Sequence, residues 1–163
     1  MSQTSARIFA LDPMTRGFGY AVFEEPFNLV AWGIARVKGD KHEGAIAQFR
    51  QLLTDFEPDV VVLEDAEDSA SRRVNRIREL IKAMIVLARK RGIMVHSLAR
   101  TAVVTCFDPL EKRATKYSIA ARLAKDFPEL LPALPKPRKP WESEHERMAI
   151  FDALALAVTF IMS

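Results

Sequence analysis

The sequence predicts a mixed α/β layer protein, with a three-strand antiparallel meander extended by parallel strands into a five-stranded sheet flanked by helices. Two observations lead there. Three strand-like segments follow one another within the first 37 residues, and strand and helix patterns alternate after them, the order that produces crossover connections and parallel pairing. Length sets the scale: 163 residues suit one domain, spanning 1–163, that can bury its core without disulfides or a structural metal.

RIFALD (7–12) reads as a short buried strand ending in an acid. DPMTRG follows as a turn, because Pro13 and Gly17 both break regular structure. FGYAVFEE (18–25) and NLVAWGIARV (28–37) are the next strands, and the short EPFN connection suits a hairpin. From Glu43 to Phe56, Ala45, Ile46, Phe49, Leu52, Leu53 and Phe56 fall at helical spacing, and Pro58 stops that helix. VVVLED (60–65) is a nearly unbroken β-branched run, as in a strand covered on both faces.

A long helix is expected from Ser69 to Arg91, with Val74, Ile77, Ile81, Met84 and Ala88 as its apolar stripe and Gly92 as its stop. Its remaining faces carry eight basic residues and one acid, Glu79. IMVHSL (93–98) is the fifth strand, ARTAVVTCF a short helix or loop, and TKYSIAARLAKDF (115–127) an amphipathic helix. PELLPALPKPRKP, with five prolines, is expected to wrap the body without regular structure. Ser143 and Glu146 have the spacing of a capping box that opens a last helix reaching about Ile161.

One cysteine, Cys106, can form neither an internal disulfide nor a zinc site, and there is no long apolar run or apolar leader. These features predict a cytoplasmic protein without a membrane partner. The net charge of +3 conceals a division: residues 1–68 hold 6 basic against 12 acidic side chains, whereas residues 69–163 hold 18 against 9. Carboxylates gathered in one half and a basic surface in the other suit metal-dependent chemistry on a polyanion, nucleic acid first.

Three acids stand where packing alone gives no reason for them. Asp12 ends the first strand and Glu64 the buried VVVLE strand, while Asp152 interrupts the apolar stretch MAIFDALALAVTF. An acid on the core side of such a helix must be paired or bound to a cation. Strands one and four can lie side by side, and the last helix can cross their end, which would gather all three. Carboxylates without histidine or thiolate favour Mg²⁺ or Mn²⁺ over zinc. Taken singly, Asp12 before Pro13 also suits a turn, and Glu64 a solvated strand end.

In this order the motifs resemble those of the RuvC-type Holliday-junction resolvases. LDPMTRGFGYAVF is similar to that family's first motif through Asp12, Pro13, Arg16, Gly19 and Tyr20, and VVVLE to its fourth strand. FDALALAVT is similar to its last helix, and RATKYSIAARLA to its lysine-bearing helix start. The likeness runs from about Arg7 to Ile161. It implies a ribonuclease H-like fold and a Mg²⁺-dependent endonuclease of DNA recombination and repair, with Asp12, Glu64 and Asp152 as catalytic metal ligands. Lys116 would contact phosphate. The implied partner is branched or structured DNA, with RNA as an alternative, and a homodimer is compatible with it.

Three departures accompany the likeness. Ala149 stands where the family has a fourth ligand, and the substitutes on offer are Glu144, His145 and Glu146, His145 lying seven residues before Asp152, roughly 10 Å along a helix axis. Met14 replaces a glycine of the first turn. DAEDSASRRVNRIR follows Glu64 where the family has an aromatic residue used on unpaired DNA, so a substrate other than a junction is also open.

The expected phosphate contacts are Arg72, Arg73 and Arg76 beyond Glu64, then Lys112, Arg113 and Lys116; Arg78, Lys136, Arg138 and Lys139 add to the basic surface, and a merely solvated charged face is the alternative for each group. Trp141 can stack on a base or pin the proline-rich segment to the body, and pinning is the expected role. The alternative to a nuclease is a non-catalytic nucleic-acid-binding module, which Ala149 favours. A phosphate loop of the actin or sugar-kinase type is excluded by the chain's length and its six glycines.

Overall fold

The computed structural model describes residues 6–25, 27–67 and 73–163. Its five strands are β1 (Arg7–Met14), β2 (Gly17–Glu24), β3 (Asn28–Arg36), β4 (Val60–Glu64) and β5 (Met94–Leu98), in the sheet order β3-β2-β1-β4-β5. The first three pair antiparallel, and β1, β4 and β5 pair parallel, giving the expected mixed sheet. The helices are α1 (Lys41–Phe56), α2 (Asn75–Lys90), α3 (Arg100–Phe107), α4 (Lys116–Asp126) and α5 (Met148–Met162).

Side chains alternate between the two faces of a strand, and here each face has its own core. Phe9 and Leu11 of β1 with Val61 and Leu63 of β4 face α1 and α2, where Phe49, Leu53, Ile77, Ile81 and Met84 close over them. Ile8 and Ala10 with Val60 and Val62 face the other way, toward α4 and α5. Continuing these rows by two residues places Asp12 and Glu64 on the α5 side of the sheet. Fully buried aromatics such as Phe9 and Phe49 each contribute on the order of 1.5–3 kcal/mol to this packing.

The α5 helix is apolar on nearly every face because it is covered on nearly every face, by β1 and β2 beneath and by α3 and α4 beside it. Its approach to β2 depends on Gly19, where an added Cβ would lie 2.3 Å from the Ala149 carbonyl carbon and 2.4 Å from its oxygen. No helix among the described residues is long and apolar enough to cross a membrane.

Several expectations need correction. The segment DPMTRG is not all turn: β1 runs on through Pro13, paired with Phe18, and only Thr15 and Arg16 form the turn. Proline is tolerated because β1 pairs with β4 only from Ile8 to Ala10, so Pro13 faces no partner on that edge. The α2 helix begins at Asn75 rather than Ser69, and Val74 is its exposed N-cap residue rather than part of the buried stripe. Residues 69–72, including the expected helix start and Arg72, lie outside the described residues. Within the proline-rich segment, Pro128–Ala133 forms a 3₁₀ turn, since proline at its first position leaves no amide donor wanting. The Ser143–Glu146 capping box does not form: α5 starts at Met148, and Glu146 pairs instead with Arg36 on β3.

Candidate active site

Beyond Ala10 and Val62 the first and fourth strands part. β1 continues with β2, pairing Leu11 with Tyr20 and Asp12 with Gly19, while β4 continues with β5, pairing Glu64 with Leu98. The split opens a crevice at the carboxyl ends of two parallel strands, the place where ligands enter open α/β sheets. Asp12 and Glu64 stand on either side of it, and α5 brings Asp152 across its mouth. A cleft of about 730 Å³ is lined by Asp12, Glu64 and Asp152 together with Arg73, Arg100, Lys116 and Arg138.

Two cations sit among the three acids. The Arg73 guanidinium donates to Asp12, to the Glu64 carboxylate at 2.7 Å and to the Pro13 carbonyl at 2.7 Å. Its side chain is only 19% exposed. Lys116 is the first residue of α4, whose start is fixed by a capping box in which Thr115 accepts from the Ser118 amide at 3.1 Å and Ser118 from the Thr115 amide at 2.9 Å. Its ammonium lies 3.3 Å from Asp152 and 3.2 Å from Glu144.

The electrostatics follow from burial and these pairs. Burial pushes the Asp12 carboxyl above its ordinary value, against the pull of Arg73 and Lys116. Asp152 is pushed up to about 7, by burial first and by the Asp12 charge second, with Lys116 opposing. Burial works against the charge on Arg73, yet Asp12 and Glu64 outweigh it and raise its pKa. The same balance, with Asp152, Asp12 and Glu144 as the anions, raises Lys116.

Oxygen donors without imidazole or thiolate fit a hard divalent cation, and desolvated carboxylates such as Asp12 and Asp152 call for positive charge. In this conformation Arg73 and Lys116 supply it. Among the described residues no three His, Cys, Asp or Glu side chains are grouped as ligands of one ion. The donor chemistry therefore fits Mg²⁺ or Mn²⁺, but an ion at Asp12 and Glu64 would take the place that Arg73 holds.

The basic residues expected from sequence are divided by the fold. Lys116 and Arg73 enter the cleft, although Arg73 binds carboxylates there rather than presenting itself to phosphate. Arg76 reaches the Thr15 carbonyl at 3.1 Å, tying α2 to the β1–β2 turn. Lys112 and Arg113 lie on the exposed α3–α4 connection, where the Arg113 amide donates to Asp108 at 2.9 Å, and neither lines the cleft. Of the three substitutes for the ligand missing at Ala149, Glu146 is held by Arg36 and His145 accepts from the Arg147 amide through Nδ1 at 3.1 Å, while Glu144 reaches Lys116. Arg100 in the cleft wall was not expected from sequence, where a lone arginine at a helix start carries no signal.

No protein-family model and no curated protein matches the sequence. Solved structures do match. The structure is similar to that of Thermus thermophilus RuvC, with a TM-score of 0.63 and 17% identity over 94% of this chain and 92% of that one. It is similar to T. thermophilus RuvC in complex with a Holliday junction substrate, with a TM-score of 0.64 and 16% identity over the same shares. The yeast mitochondrial Holliday junction resolvase Ydc2 gives a TM-score of 0.67 and 15% identity over 96% of this chain and 78% of that one. The fold is thus RuvC-like and ribonuclease H-like.

Proposed function

We propose that this chain is a divalent-cation-dependent endonuclease that hydrolyses phosphodiester bonds in structured nucleic acid, with branched DNA the first substrate and RNA the alternative. The observation that carries this reading is the placement of Asp12, Glu64 and Asp152 around one basic cleft, at the parting of two parallel strands, on a fold shared with a RuvC bound to a Holliday junction. Asp12, Glu64 and Asp152 are the residues that would hold the ions. When bound, Mg²⁺ or Mn²⁺ would lower the pKa of the attacking water and neutralise charge on the leaving oxygen.

The chain's own residues supply the rest. Lys116, held between Asp152 and Glu144, offers its ammonium to the scissile phosphate from the edge of the carboxylate group. Arg73, released from Asp12 and Glu64, would turn its guanidinium to a neighbouring phosphate, for which its fork of donors is suited. Arg100 and Arg138 line the wall along which the flanking backbone would lie. A role in DNA recombination or repair in the cytoplasm, as a monomer or homodimer, accords with this chemistry.

A second reading is favoured by two particulars, the Arg73 contacts that neutralise Asp12 and Glu64 and the absence of a carboxylate at Ala149. In it the chain binds nucleic acid without cutting. Incubating the purified protein with Mg²⁺ or Mn²⁺ and labelled junction, flap, duplex and single-stranded DNA and RNA separates the two. Metal-dependent products from branched DNA support the nuclease. Binding with no products from any substrate supports the module, and no binding to any of them refutes both.

A further inference from the structure

The connection from the 3₁₀ turn to α5 carries a feature that the hydrolytic centre does not use. Trp141 was expected to pin this segment to the body. Instead it is 78% exposed, against the usual tendency of so large an apolar ring to be covered. Nor does it hang on a loose tip. The Glu142 amide donates to the Lys139 carbonyl at 2.9 Å, closing a turn with Pro140 and Trp141 at its centre, and proline at that first central position fixes the backbone in advance. Arg138 then donates to the Glu142 carbonyl at 2.9 Å, bracing the turn from outside.

The turn is anchored to the cleft at both ends. Arg138, on one side, lines the cleft with Asp12, Glu64 and Asp152. Glu144, on the other, is paired at 3.2 Å with Lys116, which itself reaches Asp152. Trp141 is three residues from each, so its Cα lies within about 11 Å of both. The Lys139 ammonium stands 5.5 Å from the ring centroid; Arg138 and Lys136 are exposed three and five residues earlier in the chain, and the exposed acids Glu142 and Glu144 follow the ring. A ring covered by lysine on one side and otherwise open presents a flat apolar face, and the three cations on its N-terminal side can attract phosphate.

We infer that Trp141 is a stacking platform for an unpaired nucleobase at the lip of the cleft, with Lys136, Arg138 and Lys139 taking the adjoining phosphates. Stacking on an indole needs no particular base, since every base has a π face, and it requires that the base be free of its partner. The site would therefore select for substrates with unpaired or splayed nucleotides next to the bond presented to Asp12, Glu64 and Asp152. This rests on the nucleic-acid reading above and adds to it a source of selectivity for open structure over plain duplex.

The test uses the full chain carrying Trp32→Phe, so that Trp141 is the one emitting indole; Trp32 is partly buried against the core, where another aromatic ring keeps the packing. Oligothymidylate, oligouridylate and a blunt DNA duplex are titrated in turn. Quenching by either single strand and not by the duplex is the expected result, and the strand that quenches tells DNA from RNA. Trp141→Ala should weaken single-strand binding roughly 5-fold or more, while Trp141→Phe keeps most of it. Trp141→Ala should also leave the slope of log affinity against log salt unchanged, because it removes no phosphate contact. Replacing Lys136, Arg138 and Lys139 by Ala should flatten that slope. Unchanged emission, with equal single-strand affinity in Trp141→Ala, overturns the stacking site while leaving nucleic-acid binding intact. Failure of the unsubstituted chain to bind any of the three probes overturns the stacking site, and failure to bind a four-way junction as well overturns the nucleic-acid reading.

Discussion

Replacing Arg73 by Gln removes the guanidinium that Asp12, Glu64 and the Pro13 carbonyl share, leaving two carboxylates on either side of a cleft in which Lys116 is paired with Asp152. Removing one partner from a buried ion pair costs about 3–5 kcal/mol, because the other charge is left uncompensated. Arg73 is 19% exposed and water can reach the cleft, so about 2–4 kcal/mol is expected here. For a chain of this size each kcal/mol shifts the melting temperature by about 2–4 °C, giving a loss of roughly 5–15 °C in EDTA. The same substitution clears the place that an ion at Asp12 and Glu64 would take. Mn²⁺ should then recover the loss, since a ligand at 100 times its Kd adds about 2.7 kcal/mol, and it should do so at lower concentration than it stabilises the wild type. Thermal denaturation of both proteins across a Mn²⁺ series decides the matter. If the variant melts with the wild type in EDTA, or if Mn²⁺ stabilises it less, Arg73 is not the internal counterion of this centre.

The pKa of Asp152 gives a stability prediction of definite sign. Its folded value, about 7, lies above the ordinary carboxylate value, so the folded state binds the proton more tightly than the unfolded chain. Its contribution is therefore fully present below about pH 4 and is lost as pH rises through about 7. In EDTA, Asp152→Asn should abolish this decline, and difference melting curves between pH 4 and 8 measure it; parallel curves for the two proteins would refute the assignment. Gly19→Ala should destabilise by about 2–3 kcal/mol, since its Cβ would meet the backbone of Ala149 at 2.3 and 2.4 Å, where no side chain can yield. Urea denaturation reads this directly, and a loss below about 0.5 kcal/mol would show that α5 can retreat from β2 without cost.

The sheet was legible because its strands carry uneven signals that agree: the β-branched run of β4, the acid that ends it and the acid near the end of β1 are visible without knowing what lies beside them. The three carboxylates were legible for the same reason, as charges at positions that packing does not explain. What stayed hidden depends on contacts distant in sequence. Glu146 has the spacing of a capping residue, yet Arg36, 110 residues earlier, offers a charged partner that the cap would forgo. Arg73 reads as one of a run of surface arginines, and only the parting of β1 from β4 shows that it turns inward to Asp12. Trp141 beside five prolines looks like an anchor, and its exposure follows from a local turn, closed between Lys139 and Glu142, that composition does not announce.

The most direct test of the central claim is single-turnover cleavage of branched DNA by the wild type and Asp12→Asn, with binding measured on the same DNA. The amide keeps the size of the side chain and removes the charge that hard cations require. The wild type should cleave in Mg²⁺ or Mn²⁺ and stop in EDTA, while Asp12→Asn binds with near wild-type affinity and leaves the DNA intact. Cleavage by Asp12→Asn at the wild-type rate, or cleavage that persists in EDTA, would contradict the assignment of this carboxylate cleft as a metal-dependent nuclease centre.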